Sequence, residues 1–132
     1  MTGPPALAAA YEEHLAETRG HGLLVEQRLQ ELDSSPSLIK DAALRLGALN
    51  WGAFFAAQPD TPAKLAGFAY AFEHLEIAAY ELLARVAERA GDAATAAVPG
   101  QILPEERAAA ERLHGLLGEA MDATLDAQVA AG

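Results

Sequence analysis

The sequence predicts an all-α fold, on the strength of its composition and of the positions of its turn-forming residues. The 132 residues include 32 alanines and 19 leucines, but only 12 valines, isoleucines and threonines together. Alanine and leucine favour helices, whereas β-branched residues favour strands. Prolines, glycines and polar clusters separate three long helix-compatible stretches and a shorter one. We therefore expect three long helices and one short helix in a single domain, residues 1–132.

The first long helix is expected to begin at the Pro4-Pro5 pair, because the fixed φ of proline suits the first turn of a helix. It extends from Ala6 to Leu32 without a further proline. The polar cluster at residues 33–37 then forms a turn. A shorter and more apolar helix, with an aromatic group that we assign to the core, is expected over Leu38 to Ala57.

The second long helix should begin at Pro62, with Asp60 or Thr61 as its N-cap, and end at Ala90. The glycine that follows, Gly91, is typical of a helix C-terminus.

The last helix is expected over about Pro104 to Val129. Residues 93–98 form at most a separate turn, because Pro99, Gly100 and Pro104 interrupt the approach.

The charge balance excludes several classes of partner. Nine lysines and arginines against 19 aspartates and glutamates give a net charge of −10. An acidic chain without a basic cluster is repelled by nucleic acid and by anionic membranes. The longest uncharged stretch is too short to cross a bilayer, and the N-terminus lacks the features of a signal peptide. We therefore expect a cytoplasmic protein. Without cysteine, it has no disulfide and no cysteine-ligated metal.

The first helix carries ionisable residues on its apolar stripe, where burial costs free energy unless they are paired or bound to a metal. Residues spaced by three, four or seven form this stripe: Leu7, Tyr11, His14, Glu17, His21, Leu24 or Val25, and Leu32. The second long helix is predicted to bury Phe68 or Ala69, Phe72, Leu75, Ala79, Leu83 and Val86, with Glu76 within this face, Glu73 at its border and Tyr80 one turn further on. The last helix is predicted to bury Ile102, Glu105 or Glu106, Ala109, Leu113, Leu116 or Leu117, Ala120 and Thr124.

Carboxylates and imidazoles on the inward faces of neighbouring helices are the ligands of two-metal sites in helical bundles. Such oxygen and nitrogen donors suit iron, manganese and zinc. A simpler interpretation stays open for single residues: His21 alone is more often a hydrogen-bonded core residue, Glu73 an ordinary surface charge, and Glu105 and Glu106 an acidic first turn. The metal interpretation gains support because three helices each place a carboxylate on or beside the apolar stripe.

The sequence also resembles a known family, the YciF-like branch of the ferritin-like superfamily, which comprises bacterial stress-associated proteins. The resemblance covers about residues 8–126, with order and spacing kept, and rests on five segments: 14–21 (HLAETRGH), 36–41 (PSLIKD), 59–62 (PDTP), 72–80 (FEHLEIAAY) and 102–106 (ILPEE).

The resemblance implies a ferritin-like bundle with a core site for iron or manganese, as one ion or two. It implies as ligands Glu17 with His14 or His21, then Glu73 and Glu76, then Glu105 or Glu106. Tyr80 is a candidate redox or hydrogen-bonding group near that site. If the protein is an enzyme, oxidation of Fe(II) by O₂ or peroxide is the expected activity.

Two departures from the family bear on these expectations. Family members have a helix before the one that begins here, which supplies a further carboxylate, and the prolines near residue 100 could displace Glu105 and Glu106. Three long helices would leave apolar surface exposed, so we expect a homodimer or larger homo-oligomer that completes the core. The alternative function is a metal-free helical scaffold or interaction module.

Overall fold

The computed structural model describes residues 4–34 and 61–132, which form three α-helices and contain no strand. Helix α1 is Pro5–Glu31, α2 is Pro62–Arg89 and α3 is Ala93–Ala131. The bounds predicted for the first two long helices are confirmed to within one residue. The short helix predicted over 38–57 lies outside the described residues. Within the two described ranges, no helix is long and apolar enough to span a membrane.

The ends of α2 follow from local chemistry. The Thr61 hydroxyl accepts a hydrogen bond from the Lys64 amide at 3.3 Å, and Pro62 occupies the first helical turn. At the other end, Gly91 adopts a φ of 72°, a left-handed conformation that glycine tolerates best. The chain reverses there, and the Asp92 amide donates to the Ala87 carbonyl at 2.9 Å. The helix therefore ends where the sequence predicted.

The prediction that prolines delay the start of the last helix is wrong. Helix α3 runs continuously through Pro99 and Pro104. Each internal proline costs about 3 kcal/mol in an isolated helix. Here Val98, Pro99 and Ile102 are buried against the rest of the bundle, and burying an aliphatic side chain contributes about 1.5–3 kcal/mol. Tertiary packing thus offsets the local cost, and Glu105 and Glu106 remain on a helical register.

Contacts between the helices define their directions. Tyr70 contacts His114, and Glu81, further along α2, contacts Arg107, which comes earlier in α3. Helices α2 and α3 are therefore antiparallel. The pairs joining α1 to α3, such as Glu17 with Arg112, are also antiparallel. Helices α1 and α2 are consequently parallel, and residues 32–61 separate them along the chain. Within residues 4–34 and 61–132, α1 and α2 therefore run in one direction and α3 runs in the other.

The core lies between the N-terminal halves of α1 and α2 and the C-terminal half of α3. Its buried residues are Leu7, Ala66, Leu113 and Ala120, with Tyr11, Ala69, Tyr70, Leu116 and Leu117 packed around them. The face predicted for the last helix is confirmed at Ile102, Ala109, Leu113 and Ala120, all at most 3% exposed.

The face predicted for α2 is wrong at three of its large side chains, although Ala69 packs against the core and Leu83 is partly buried. Phe72, Leu75 and Val86 are 58%, 63% and 66% exposed, whereas Glu73 is 2% exposed. The apolar arc of α2 is wider than the surface that α1 and α3 cover, and the part with small residues such as Ala66 turns inward. Periodicity identifies an apolar arc but does not tell which part of it packs, because close approach of α3 favours small side chains there.

Asp92 joins the start of α3 to the end of α1. Its carboxylate accepts from the Thr95 amide at 2.9 Å and from the Arg28 guanidinium at 3.0 Å. Hydrogen bonds from Thr95, with a further contribution from Arg28, lower the pKa of Asp92 to about 2.

We expect Asp92→Ala to lower the Tm by about 5 °C at pH 7, because it removes both the helix cap and the partner of Arg28. Since the folded-state pKa lies below the ordinary 3.8, this contribution is present above pH 3.8 and is lost as the pH falls towards 2. Thermal denaturation followed by circular dichroism measures the effect. Asp92→Asn keeps the helix cap, so its Tm should fall less than that of Asp92→Ala. Asp122→Ala, on the exposed side of α3, is the control. Equal Tm values for Asp92→Ala and Asp122→Ala would contradict this role.

Candidate metal centre

A cluster of ionisable side chains lies where the three helices meet in the middle of the bundle. His14 of α1, Glu73 and Glu76 of α2, and Glu106 of α3 each place one donor atom within 4.8 Å of the others. Glu73 and Glu106 are 2% and 1% exposed, and His14 and Glu76 are partly buried. The helix faces explain the convergence: His14 follows Leu7 by seven residues on the inward stripe, and Glu106 follows Ile102 by four.

His14 connects α1 to α2. Its Nε2 lies 3.0 Å from the nearest oxygen of Glu73 and 3.9 Å from that of Glu76. The Thr18 hydroxyl lies 3.2 Å from the same nitrogen and donates to the backbone carbonyl of His14 at 2.9 Å. The imidazole is therefore held within reach of two carboxylates.

His21 lies two turns further along α1 and faces α3. Its Nε2 is 2.7 Å from the Glu105 carboxylate, and its Nδ1 is 2.9 Å from Oε1 of Glu106. Nε2 makes the hydrogen bond to Glu105, while Nδ1 is buried without a hydrogen-bond partner. The His21 ring thus lies between two successive carboxylates of α3.

The carboxylates of α2 are protonated more readily than ordinary ones. Burial, followed by the neighbouring Glu106, Glu76 and Glu17 carboxylates, raises the pKa of Glu73 to about 8. Burial is also the main reason that the pKa of Glu76 is raised, with a further contribution from Glu106. Ionising these carboxylates in a poorly solvated space is therefore costly, and a bound cation would offset that cost.

Buried polar atoms without partners test whether these residues fit a metal. Among the described residues, buried atoms without a hydrogen-bond partner include the Oε2 atoms of Glu73, Glu76 and Glu106 and the Nδ1 atoms of His14 and His21. Native proteins leave few such atoms, because each costs free energy. Carboxylate oxygens and imidazole nitrogens are also the donors that iron, manganese and zinc accept. The residues present therefore fit a divalent metal.

Glu17 has a different environment from the other carboxylates. Arg112 of α3 donates to Glu17 Oε2 at 2.7 Å, and the same oxygen lies 3.5 Å from His14 Nδ1. Its charge is already partnered, so it lies beside the cluster and borders His14. The sequence interpretation missed Arg112; the signal was the i, i+4 pair Glu13 and Glu17, since Arg112 also lies 3.6 Å from Glu13.

Tyr80 borders the centre from α2. Its ring makes an edge-on contact with the His21 ring, with centroids 6.4 Å apart. Burial, followed by the Glu106 and Glu76 carboxylates, raises the pKa of its hydroxyl. The phenol therefore stays protonated next to the acidic cluster.

All seven residues predicted as metal ligands lie in or beside this centre. Four form the tight cluster, and His21 adjoins it through Glu106. Glu105 is about half exposed and contacts His21 from the solvent side. Whether any of them binds metal stays a prediction.

Comparison with known proteins identifies a family without naming an activity. No solved structure matches the chain. Residues 1–126, nearly the full length, match the family DUF892, which is described as a domain of unknown function. The chain therefore belongs to the DUF892 family.

Proposed function

We propose that this protein binds a divalent transition metal, iron or manganese, in a ferritin-like helical core. The observation that carries the proposal is the convergence of His14, Glu73, Glu76 and Glu106 from three helices, with buried donor atoms that lack partners. A carboxylate–imidazole cluster at the centre of a bundle is the arrangement by which helical proteins hold such metals.

The helix directions support a ferritin-like core. Ferritin-like bundles contain one long crossover between helices, whereas simple up-and-down bundles use short loops throughout. The parallel pair α1 and α2 is joined by residues 32–61, and the antiparallel pair α2 and α3 by a tight turn at Gly91. The resemblance to the YciF-like branch supports the same assignment and adds a stress-associated role.

Each residue has a role within the proposal. His14, Glu73 and Glu76 would hold one ion, and Glu106 would contact it from α3. Because Glu106 also faces Nδ1 of His21, it is placed to be shared with a second ion.

Three further side chains position these ligands. Arg112 fixes Glu17, which lies beside the His14 ring, and Glu105 orients the His21 ring. A bound metal would supply Lewis acidity and, for iron or manganese, redox chemistry. The proposal includes a homodimer or larger homo-oligomer, because apolar side chains of α2 are exposed.

The test is the metal content of protein purified without chelator, measured by elemental analysis. We expect iron or manganese at about one to two ions per chain. His14→Ala should lose most of it, because the cluster loses its nitrogen donor. His74→Ala removes an exposed histidine of α2, which contacts Tyr70, and should retain it. Absence of metal from the wild type would favour the metal-free scaffold, and equal metal in both variants would show that it binds outside this cluster.

A further inference from the structure

Helix α2 carries a regular apolar seam on its outer side. Positions alternate by three and four residues, as in the a and d positions of a coiled coil: Leu65, Phe68, Phe72, Leu75, Ala79, Leu82 and Val86. The six larger side chains are between 44% and 66% exposed. The seam extends over six turns, roughly 33 Å.

The spacing of the seam indicates the kind of surface that fits it. A repeat of 3.5 residues keeps apolar side chains facing one partner helix, whose side chains fill the holes between them. A flat or irregular surface would not need this regularity. The seam is thus shaped for a long helix with the same repeat.

The sizes of its side chains point to a second copy of the same helix in antiparallel orientation. The N-terminal half of the seam carries the bulky Phe68 and Phe72, and the C-terminal half carries the smaller Ala79 and Val86. In an antiparallel pair, each a position faces a d position of the other helix. Large residues then meet smaller ones, which fills space evenly.

One register pairs both phenylalanines and Leu75 with smaller residues. Phe68 faces Val86, Phe72 faces Leu82, and Leu75 faces Ala79 of the other copy. In a parallel pair, like residues would meet, so that two phenylalanines crowd in two layers and two alanines leave a void in another. Both arrangements are two-fold symmetric, so the sizes of the facing side chains decide between them.

The area of the seam is sufficient for a dimer. Half to two thirds of each of the six larger side chains is exposed, or on the order of 100 Å² apiece. Two copies would then bury roughly 1,200 Å² from these side chains alone, which reaches the lower bound of specific interfaces. Exposed Ala71 and Ala78 lie along the outer border, where their small size allows close approach.

We propose that the α2 seam is the interface of a symmetric antiparallel homodimer, with the two-fold axis between Leu75 and Ala79. Glu76, on the inner border of the seam, is partly buried already. The second copy therefore also covers the α2 side of the acidic cluster from solvent. This interface makes the proposed homo-oligomer specific, and its formation does not depend on metal binding.

Disulfide cross-linking tests the register, and the absence of natural cysteine removes any background. Single variants Leu75→Cys and Ala79→Cys are oxidised separately and as an equimolar mixture. We expect several-fold more covalent dimer in the mixture, because only the 75–79 pair comes within the 7 Å that a disulfide allows. Efficient linking of Leu75→Cys to itself would overturn the antiparallel orientation.

Light scattering on the wild type tests the dimer itself. We expect twice the chain mass of 13.8 kDa. Phe72→Lys should give a monomer with unchanged helix content by circular dichroism, whereas Leu23→Lys, at an exposed leucine of α1, should remain dimeric. A wild-type monomer, or a dimer that Phe72→Lys leaves intact, would overturn the proposal and indicate that residues 35–60 or another protein covers the seam. Metal content is measured separately, so a monomer that binds metal would overturn only the interface.

Discussion

Glu106→Gln is expected to weaken metal binding by at least about 100-fold, the largest loss for a single substitution in the cluster. Glu106 is 1% exposed and is the carboxylate that lies between the His14 cluster and His21. Glutamine keeps the shape of the side chain but removes the charge that a cation requires. Loss of a group that only orients a ligand already lowers metal affinity about 10- to 100-fold, so loss of a direct ligand should lower it further.

The measurement is the rise in Tm when Mn²⁺ is added to metal-free protein. At 100 times its dissociation constant, a ligand adds about 2.7 kcal/mol of stability, which corresponds to a rise of roughly 10 °C in a domain of this size. Glu106→Gln should show almost no rise. Glu111→Gln, the same change at an exposed position of α3, should behave as wild type. A full rise in Glu106→Gln would show that Mn²⁺ binds elsewhere.

Glu73→Gln is expected to stabilise the metal-free protein while it weakens metal binding. The Glu73 carboxylate is buried beside Glu106, Glu76 and Glu17, so its ionised form is costly. Glutamine removes that cost, which is on the order of 3 kcal/mol at pH 8. The Tm of the metal-free protein should therefore rise by about 10 °C. Opposite effects on stability and on binding are typical of a residue retained for a function.

The pH dependence has a defined sign. The pKa of Glu73 is about 8 in the folded protein and 4.5 ordinarily, so the folded state binds the proton more tightly. This contribution to stability is complete below pH 4.5 and is lost as the pH rises to 8. With a chelator present to keep the protein metal-free, the Tm of the wild type should therefore fall more between pH 5 and pH 8 than the Tm of Glu73→Gln. Exposed Glu88→Gln is the control. Parallel curves for wild type and Glu73→Gln would contradict the raised pKa.

The fold was predictable where local signals and tertiary packing agree. Proline, threonine and glycine at the ends of α1 and α2 act through their own backbone chemistry, so these bounds follow from sequence. The start of α3 does not, because the burial of Val98, Pro99 and Ile102 outweighs the local cost of proline. That burial depends on neighbours that periodicity alone cannot place.

The sequence predicted which residues lie at the candidate site, but not how deeply each of them is buried. His14 and His21 interrupt an otherwise apolar stripe, which is a visible signal. Glu73 was assigned to a border, yet it is one of the most buried side chains, because α2 turns a small-residue face inward. The partners Arg112 and Thr18 were missed, since neither residue stands out until the helices are placed together.

The central claim is that three helices build a cation site from His14, Glu73, Glu76 and Glu106. Isothermal titration calorimetry tests it directly, with metal-free protein titrated with Mn²⁺, or with Fe²⁺ in the absence of oxygen. The account predicts saturable binding at about one to two ions per chain in the wild type, and loss of that binding in Glu106→Gln but not in Glu111→Gln. Absence of saturable binding in the folded wild type, or equal binding in both variants, would contradict it.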